Sequence, residues 1–457
     1  MSTDLIDALA GVVGADHALS GTAIGEDYTH DECLTVEWAV PDVVVRPAST
    51  DEVAAILRQC DERGVAVTAR GAGTGLSGAA TPSAGGVVVS FERMNAVLEI
   101  DSDNHAAVVQ PGVTLQQLDA ELAPRRLVYP VFPGEYSASL GGNVNTNAGG
   151  MRAVKYGVTR HHVLGLEAVL PCGEVIRTGG KIVKSSSGYD LTQLILGSEG
   201  TLALVTEATL KLHPRLEHAA TILAPFATLD EVTRAVPRIL DSGVAPMILE
   251  YIDIITMSAM TGAYDLELGI PGDIRESALA YLVVVLESTD ADRLEADVES
   301  VGMHLAELGA VDAYVLPPQA ATNIIEAREK AFWLAKANGA QDIVDVVVPR
   351  AAIPDFMKRV EELGAETASW IAGCGHAGDG NVHLGVFQPD PAKLETVMMG
   401  LFRAAQALGG AISGEHGLGT AKRKYYLELE DPAKVQLMRR IKAAFDPNGI
   451  LNPGAMI

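Results

Sequence analysis

The sequence predicts an α+β protein with at least two domains. Its 457 residues exceed the usual size of a single hydrophobic core. Short strand-like runs alternate with helical runs between residues 43 and 212, and glycine-rich loops separate many of them. After about Pro214 the glycine clusters fade, and the alternation of helices and strands predicts an antiparallel sheet with helices on one face.

Each element of the first half follows from a local signal. Residues 5–20 are predicted to form an amphipathic helix. Ser49 and Glu52 have the spacing of a capping box that begins a helix over 53–62, and Gly64 ends it. Strands are predicted at 43–46, 65–69, 86–91, 106–110, 166–170 and 201–212.

The second half continues in the same way, with fewer glycines between its elements. Helices are predicted at 229–242, 293–308 and 434–445. Strands are predicted at 248–253, 281–286 and 344–348. Glycine-rich loops return at 373–385 and 409–419.

The composition argues against several classes of protein. A formal net charge of −25 disfavours binding to nucleic acid or to an anionic membrane, because both require a basic surface. No apolar run approaches the roughly 20 residues of a membrane helix, so no membrane span is predicted. The amino terminus lacks the basic region of a signal peptide, which favours a cytoplasmic location. Four scattered cysteines form no CxxC pair and give no indication of an iron–sulfur centre: Cys33, Cys60, Cys172 and Cys374.

The most informative segment is the glycine-rich run over 70–78, here called the first loop, which follows a predicted strand. A Rossmann turn would continue directly into a helix, whereas here Pro82 and two more glycines follow and disfavour one. Successive glycines can instead direct several backbone N–H groups at one anion, and the hydroxyl groups of Thr74 and Ser77 can add donors. The first loop is therefore predicted to bind a pyrophosphate, and a tight loop without a ligand is the alternative.

Two further segments have the same character. The second loop, residues 133–150, combines paired glycines with asparagines and small hydroxyl side chains, and Lys-Tyr-Gly follows at 155–157. The third segment, residues 188–201, is also small and polar and precedes a predicted strand. Three such segments in one half of the chain are hard to explain by turns alone. They indicate a large, extended cofactor.

With these motifs the sequence resembles the FAD-linked oxidases of the vanillyl-alcohol-oxidase fold, in the branch that contains glycolate oxidase, D-lactate dehydrogenase and D-2-hydroxyglutarate dehydrogenase. The resemblance covers nearly the whole chain and is most specific at 70–78, 141–150, 155–157, 197–201, 375–383 and 414–419. It implies a two-subdomain FAD-binding domain of the PCMH type over 1–215 and an α+β cap domain with an antiparallel sheet over 216–410. The carboxyl-terminal segment 411–457 is expected to return to the FAD domain.

The resemblance also implies how FAD is bound. In this family the first loop binds the pyrophosphate, the second loop and third segment contact adenosine, ribose and flavin, and the final asparagine lies near the isoalloxazine. Some relatives carry a histidine in the first loop that bonds covalently to the flavin, but Thr74 stands at the most similar place and cannot form that bond. We therefore expect non-covalent FAD. The implied FAD-binding residues are Arg70, Gly71, Ala72, Gly73, Thr74, Gly75, Ser77, Gly78, Pro133, Gly134, Ser139, Gly142, Asn143, Asn147, Gly149, Gly150, Tyr156, Glu199, Gly200 and Asn452.

Histidines in the later glycine loops indicate a metal site. His376 and His383 flank a tight turn between two strands, so their side chains can converge, and Glu415 and His416 follow about thirty residues later. Two histidines and a carboxylate are the usual composition of a catalytic zinc site, and manganese or iron also suits these ligands. A histidine packed in the core or on the surface is the alternative for each. The resemblance implies that His376, His383 and Glu415 are the metal ligands and that His416 is the general base, while Asp379 is a turn former.

The resulting chemistry is the oxidation of a 2-hydroxy acid. The substrate carboxylate and hydroxyl would chelate the metal, His416 would take the hydroxyl proton, and the α-hydrogen would leave as hydride to flavin N5. Arg328 is the candidate for binding the substrate carboxylate, and an ion pair with Glu326 or Glu329 on a helix surface is the alternative. Lys422 is a weaker candidate, because Arg423 and Lys424 beside it suggest a solvated basic face.

The choice of substrate depends on residues near the histidines. Gly385 shares a strand face with His383 and offers nothing to a second carboxylate, and Ile343 and Val344 occupy a stretch where a lysine would serve a dicarboxylate. These residues favour D-lactate or glycolate over D-2-hydroxyglutarate.

Several alternatives stay open. One alternative is a non-redox flavin-dependent transferase of the ether-lipid synthase type. The late motif of that group resembles a run of histidines, whereas this chain has Glu415-His416 at that place. A flavin subunit that needs an iron–sulfur partner is another. The sequence does not choose among quinone, cytochrome, flavoprotein or oxygen as the electron acceptor, nor between a monomer and a homodimer.

Overall fold

The computed structural model describes residues 3–457 and divides the chain into two compact units. The first unit comprises the chain up to Ala148, Val158–Arg215 and Glu415–Ile457. The second comprises Gly149–Gly157 and Leu216–Gly414. The sequence-based division at 215 and 410 differs from this one in two places, because the short segment 149–157 lies in the second unit and the later boundary follows Gly414.

Within residues 3–457 the helices are α1 (Thr3–Val13), α2 (Thr50–Arg63), α3 (Leu115–Leu122), α4 (Leu140–Thr146), α5 (Ala153–Tyr156), α6 (Leu191–Ile195), α7 (Leu229–Asp241), α8 (Ile254–Tyr264), α9 (Gly272–Ser277), α10 (Ala291–Glu307), α11 (Pro318–Glu329), α12 (Ala331–Ala337), α13 (Ile353–Thr367), α14 (Pro391–Ala407), α15 (Arg423–Leu429) and α16 (Pro432–Phe445).

The strands are β1 (Ala18–Ser20), β2 (Val43–Val45), β3 (Val67–Arg70), β4 (Val87–Ser90), β5 (Val97–Asp101), β6 (Ala106–Val109), β7 (Leu127–Val128), β8 (Val163–Val169), β9 (Val175–Gly179), β10 (Leu204–Lys211), β11 (His213–Pro214), β12 (His218–Phe226), β13 (Ile248–Asp253), β14 (Ala280–Ser288), β15 (Tyr314–Val315), β16 (Asp342–Val347), β17 (Trp370–Gly375) and β18 (Asn381–Phe387).

The first unit contains two main sheets. One has the order β1-β2-β4-β3, in which β2, β4 and β3 are parallel and β1 is an antiparallel edge strand. Its central strands are valine-rich and buried, as expected for parallel strands covered on both faces, and α1 and α2 contribute to the same core. The other sheet is antiparallel, with the order β5-β6-β10-β8-β9.

The second unit is built on a seven-stranded antiparallel sheet with the order β15-β12-β14-β13-β17-β18-β16. Helices α7, α10, α13 and α14 pack against its strands. Thr228 and Glu231 form a reciprocal capping box at the start of α7, which begins the helix at the predicted residue. The predicted α+β fold, with an antiparallel sheet in the second half, is confirmed.

Three sequence-based expectations are wrong in detail. The predicted helix over 5–20 ends at Val13, because residues 18–20 form a strand that pairs with β2. Part of the second loop is the helix α4, since the Ser139 hydroxyl accepts from the Gly142 N–H and caps it. Strands β5, β9 and β12 were not predicted, because sheet pairing with distant partners stabilises them.

Among the described residues, no helix has both the length and the apolar character needed to cross a membrane.

Candidate active site

The first loop lies over a buried arginine. Arg70 ends β3, is 8% exposed, and donates from Nη1 to the His30 carbonyl at 2.7 Å. A Cβ at Gly73 would meet Arg70 Nη2 at 2.1 Å, so the guanidinium lies directly beneath that glycine, whose φ is +76°. Within residues 3–457, the N–H groups of 73–76 have no protein acceptor. A cation beneath several unpaired backbone donors fits the pyrophosphate of FAD.

Side chains hold the first loop near its start and hold the residues that directly follow it. The Ser139 hydroxyl, at the start of α4, accepts from the Ala72 N–H at 3.2 Å and so joins the first loop to the second. Asp31 accepts from the Ala80 N–H at 3.3 Å and the Thr81 hydroxyl at 3.4 Å. Asp31 was missed by sequence reasoning, and nothing in its own segment signals this contact. Its burial raises the pKa of the Asp31 carboxyl.

The remaining residues of the second loop divide between the two units. Asn143 is buried in α4, and the Asn147 side chain accepts from the Arg160 N–H at 3.0 Å, both within the first unit. Gly149, Gly150 and Tyr156 belong to the second unit. The Tyr156 hydroxyl there donates to Glu287 on β14. Pro133 and Gly134 are half-buried residues that precede α4 in the first unit.

Glu199 and Asn452 form a junction in the first unit. The Glu199 carboxylate accepts from the Leu418 and Gly419 N–H groups, each at 2.7 Å. The Asn452 side chain donates to the carbonyls of Ala79 and Glu199, each at 2.8 Å. The third segment, the end of the first loop and the carboxyl terminus therefore meet at Glu199, beside Gly200.

The second unit brings His376 and His383 together. His376 follows β17 and His383 lies on β18, and the short turn between these strands brings the ring centroids to 4.8 Å with the planes at 79°. Two converging imidazoles on rigid, paired strands are a geometry that could hold a divalent metal.

Each histidine lies beside a buried carboxylate that sequence reasoning missed. His376 Nδ1 is 2.6 Å from Glu250 Oε1, and His383 Nδ1 is 3.6 Å from Asp345 Oδ1. At His376, where Nδ1 lies within hydrogen-bonding distance of a carboxylate, Nε2 is the nitrogen that would ligate a metal, which is the usual arrangement of metal-binding histidines. This donor set fits a divalent metal. Both carboxylates interrupt apolar strands, and that interruption is a signal that could have found them.

Glu250 is fully buried and lies between the Arg328 guanidinium and the His376 imidazole. Its Oε2 forms an ion pair at 2.7 Å with Nη2 of Arg328, which is itself 8% exposed on α11. Burial acts to raise the pKa of Glu250, but His376 and Arg328 outweigh it and hold the pKa below its usual value. Arg328 is therefore a buried residue with an ion pair to Glu250, and it does not lie on an exposed helix surface.

Asp345 accepts hydrogen bonds from the residues that directly precede Glu415 and His416 in the chain. Its carboxylate accepts from the Asn381 amide at 2.9 Å, the Ser413 hydroxyl at 2.8 Å and the Gly414 N–H at 3.0 Å. Glu415 and His416 come directly after Gly414 in the chain.

Lys422 is 2% exposed, which contradicts the expected solvated basic face.

The fold and the glycine loops define an FAD-binding oxidoreductase, and comparison with known proteins gives its family. The profile of the FAD binding domain matches residues 41–179, and that of the FAD linked oxidases, C-terminal domain, matches residues 215–456. The chain belongs to the FAD-linked oxidase family and is an FAD-dependent enzyme.

Relatives that match nearly the whole chain support the same family. An uncharacterized FAD-linked oxidoreductase of Mycobacterium tuberculosis is 60% identical over 97% of both chains. A D-lactate dehydrogenase of Anaerostipes hadrus is 37% identical over 97% of this chain and 95% of that protein. A glycolate oxidase subunit of Bacillus subtilis is 36% identical over 100% of this chain and 97% of that protein.

Solved structures at lower identity share the fold. A p-cresol methylhydroxylase with bound substrate has a TM-score of 0.79 at 17% identity, covering 99% of this chain and 96% of that chain. An alkyldihydroxyacetonephosphate synthase has a TM-score of 0.75 at 19% identity, covering 99% of this chain and 86% of that chain. These likenesses agree with the two-domain fold of the PCMH-type flavoproteins that the sequence predicts.

Proposed function

We propose that this enzyme oxidises a small D-2-hydroxy acid, D-lactate or glycolate, to the 2-oxo acid. The observation that carries the proposal is the pair of converging histidines, each beside a buried carboxylate, in a chain of the FAD-linked oxidase family. Relatives named as D-lactate dehydrogenase and glycolate oxidase subunit support the class of substrate.

In this proposal His376, His383 and Glu415 ligate a divalent metal, zinc with manganese or iron as alternatives. Glu250 and Asp345 orient the two imidazoles, and the hydrogen bonds of Ser413 and Gly414 to Asp345 fix where the chain enters Glu415. A metal bound there would supply Lewis-acid polarisation of the substrate hydroxyl, and bound FAD would supply the acceptor for the hydride of the α-carbon.

His416 is the proposed base, and one of its imidazole nitrogens takes the hydroxyl proton as the carbonyl forms. Arg328 is proposed to bind the substrate carboxylate, with its guanidinium oriented by the ion pair with Glu250. His416→Ala should therefore slow flavin reduction by substrate roughly 10²–10⁴-fold and leave FAD content unchanged. Stopped-flow absorbance measures this rate, and reduction at the wild-type rate would rule out His416 as the base.

FAD is proposed to bind non-covalently through the first and second loops and the third segment. The support is the buried Arg70 beneath the unpaired N–H groups of the first loop, together with Thr74 in place of a linking histidine. Acid precipitation should release all of the yellow chromophore into the supernatant. Flavin that stays with the precipitated protein would contradict this prediction.

A small monoacid is proposed because the surroundings of Gly385, two residues after His383 on β18, are apolar. A Cβ at Gly385 would meet the Phe387 ring at 3.2 Å and Ala335 Cβ at 3.4 Å, and Val344 on the neighbouring strand is fully buried. The nearest described side chains at Gly385 are therefore apolar and suit a substrate with a single carboxylate better than a dicarboxylic acid.

The decisive experiment is an anaerobic panel of D- and L-2-hydroxy acids, scored by loss of flavin absorbance with and without a chelator. We expect D-lactate or glycolate to reduce the flavin only when the metal is present. Faster reduction by D-2-hydroxyglutarate would reassign the substrate, and no reduction by any hydroxy acid would reject the proposed function. Reoxidation by a quinone analogue, cytochrome c or oxygen in the same cuvette then identifies the class of acceptor.

A further inference from the structure

The search for unassigned roles leads to Glu199, whose side chain the proposed chemistry does not use. Glu199 is 5% exposed and has a left-handed backbone, with φ of +52°. For a non-glycine residue this conformation is strained and persists only where the surroundings hold it in place. Its N–H donates to the Asn145 carbonyl at 2.8 Å and its own carbonyl accepts from Asn452 at 2.8 Å, so both sides of the residue are fixed.

The carboxylate of Glu199 is directed at the segment 417–421, here called the catalytic-side loop because His416 immediately precedes it. The Glu199 oxygens accept from the N–H groups of Leu418 and Gly419, each at 2.7 Å. A Cβ at Gly417, whose φ is +83°, would meet Glu199 Oε1 at 2.7 Å. Only glycine allows this approach, so the loop lies directly against the carboxylate.

The catalytic-side loop also contacts the first loop, within the same unit. The Ala421 N–H donates to the Ser77 carbonyl at 3.1 Å, and the Thr420 hydroxyl donates to the Gly78 carbonyl at 3.3 Å. A Cβ at Gly419 would lie 1.9 Å from the Ser77 carbonyl oxygen. The segment that follows His416 is thus held between the first loop and Glu199.

We propose that Glu199 is a positioning residue for His416, because its buried carboxylate holds the catalytic-side loop through two backbone hydrogen bonds. The link to catalysis rests on the proposed role of His416, whereas the contact with the loop does not. The resemblance implies a role for Glu199 in FAD binding, and the structure adds the two hydrogen bonds from its carboxylate to the catalytic-side loop.

The two bonds depend on the charge state of Glu199. A carboxylate accepts both N–H groups, whereas the protonated acid carries a hydroxyl that accepts poorly. Burial raises the pKa of Glu199 to about 7, against the opposing effect of the Leu418 and Gly419 N–H groups, and the charge of Asp31 adds to the increase. The Asn145 carbonyl and the Asn452 amide, which bond to the backbone of Glu199, are neutral.

Hydrogen–deuterium exchange of the FAD-loaded protein tests the contact directly. In Glu199→Gln the amides of Leu418 and Gly419 should exchange about tenfold faster than in the wild type. In the wild type, protection of these amides, corrected for the intrinsic rate, should fall as the pH is lowered through about 7. In Glu199→Gln this pH dependence should be lost. Glu207→Gln, a half-buried glutamate on β10, is the matched control and should behave as the wild type.

Unchanged exchange in Glu199→Gln, or an equal increase in Glu207→Gln, would overturn the proposal. Should Glu199→Gln not fold, Gly417→Ala displaces the loop from the other side, and the same two amides should lose protection. Kinetically, Glu199→Gln should lower kcat on the order of tenfold to a hundredfold with KM little changed. The exchange measurement needs no substrate, so it decides the contact even if the hydroxy-acid panel rejects the proposed function. A normal kcat together with faster exchange would refute the positioning of His416.

Discussion

At the scale of single residues, the buried carboxylates Glu250 and Asp345 are the least expected features of the second unit. A buried carboxylate is costly unless cations or hydrogen-bond donors satisfy it. Arg328 and His376 satisfy Glu250, while Asn381, Ser413 and Gly414 satisfy Asp345. Retaining such groups beside two histidines is most simply explained by a need to orient both imidazoles.

Replacing Glu250 should therefore weaken the proposed binding of a metal without removing any of the proposed ligands. For Glu250→Gln we expect roughly 10–100-fold lower metal affinity, because His376 loses the carboxylate that sets its orientation. Titration of metal-free protein by calorimetry measures the affinity. Glu326→Gln, at an exposed position of α11, is the control. Equal affinity in wild type and Glu250→Gln would contradict the orienting role.

A second residue-scale prediction concerns pH and stability. Burial lowers the pKa of His162 to about 4, below its ordinary value of 6.5, and its Nε2 lies 3.2 Å from that of His213. Between pH 6.5 and pH 4 the unfolded chain binds a proton at His162 that the folded chain does not, so the free energy of unfolding should fall as the pH falls through this window.

Thermal unfolding of the wild type and of His162→Gln across pH 4 to 7 measures this effect. The decrease in Tm towards acid should be smaller in His162→Gln, because the variant has no imidazole to protonate. Parallel curves for the two proteins would show that another group is responsible.

At the scale of elements, the first loop functions as a unit with the arginine beneath it. Strand β3 delivers Arg70 to the base of the loop, and the chain then turns over the guanidinium at Gly73. Nothing larger than a hydrogen fits at Gly73 without moving the cation. The charge and the unpaired N–H groups are therefore fixed relative to one another before any ligand binds.

Gly73→Ala should lower FAD affinity by displacing the guanidinium, by about tenfold or more. Gly85→Ala is a matched control, because its φ of +77° is nearly that of Gly73 at +76°, while an added Cβ there meets nothing within 4 Å. Both variants thus carry similar backbone strain and differ in the clash. Fluorescence titration of apoprotein with FAD gives the two Kd values, and equal losses in both would attribute the effect to strain alone.

At the scale of the whole molecule, the two units carry different parts of the chemistry. The first unit contains the first loop, most of the second loop and the third segment, and the second unit contains the two converging histidines. Removal of the proposed metal should therefore change amide exchange only near the two histidines. After dialysis against a chelator, amide exchange should increase in the peptide over 376–383 and in β13, while the first loop should be unchanged and the FAD absorbance should persist. Loss of FAD together with the metal would show that the two sites are coupled.

Much of the fold was predictable because its signals are local. Helix α2 begins at the Ser49 cap, where the hydroxyl accepts from the Glu52 N–H, and strand β13 has the predicted bounds. The glycine clusters of the first loop indicated a cofactor because glycine permits backbone to approach a ligand closely. Elements that depend on distant partners were not predicted. Strand β12 had no predicted counterpart, and strand β1 lies where the sequence predicted the end of a helix.

The sequence by itself determined the α+β class, the FAD loops and the family, since these depend on residues close together in the chain. Only the tertiary structure decided which side chains accompany the candidate ligands. Glu250 reaches His376 across 126 positions, and Glu199 reaches Gly419 across 220. Such pairs are brought together by sheet order and loop packing, and no periodicity or spacing in one stretch of sequence can encode them, because their hydrogen bonds form only after distant segments have folded.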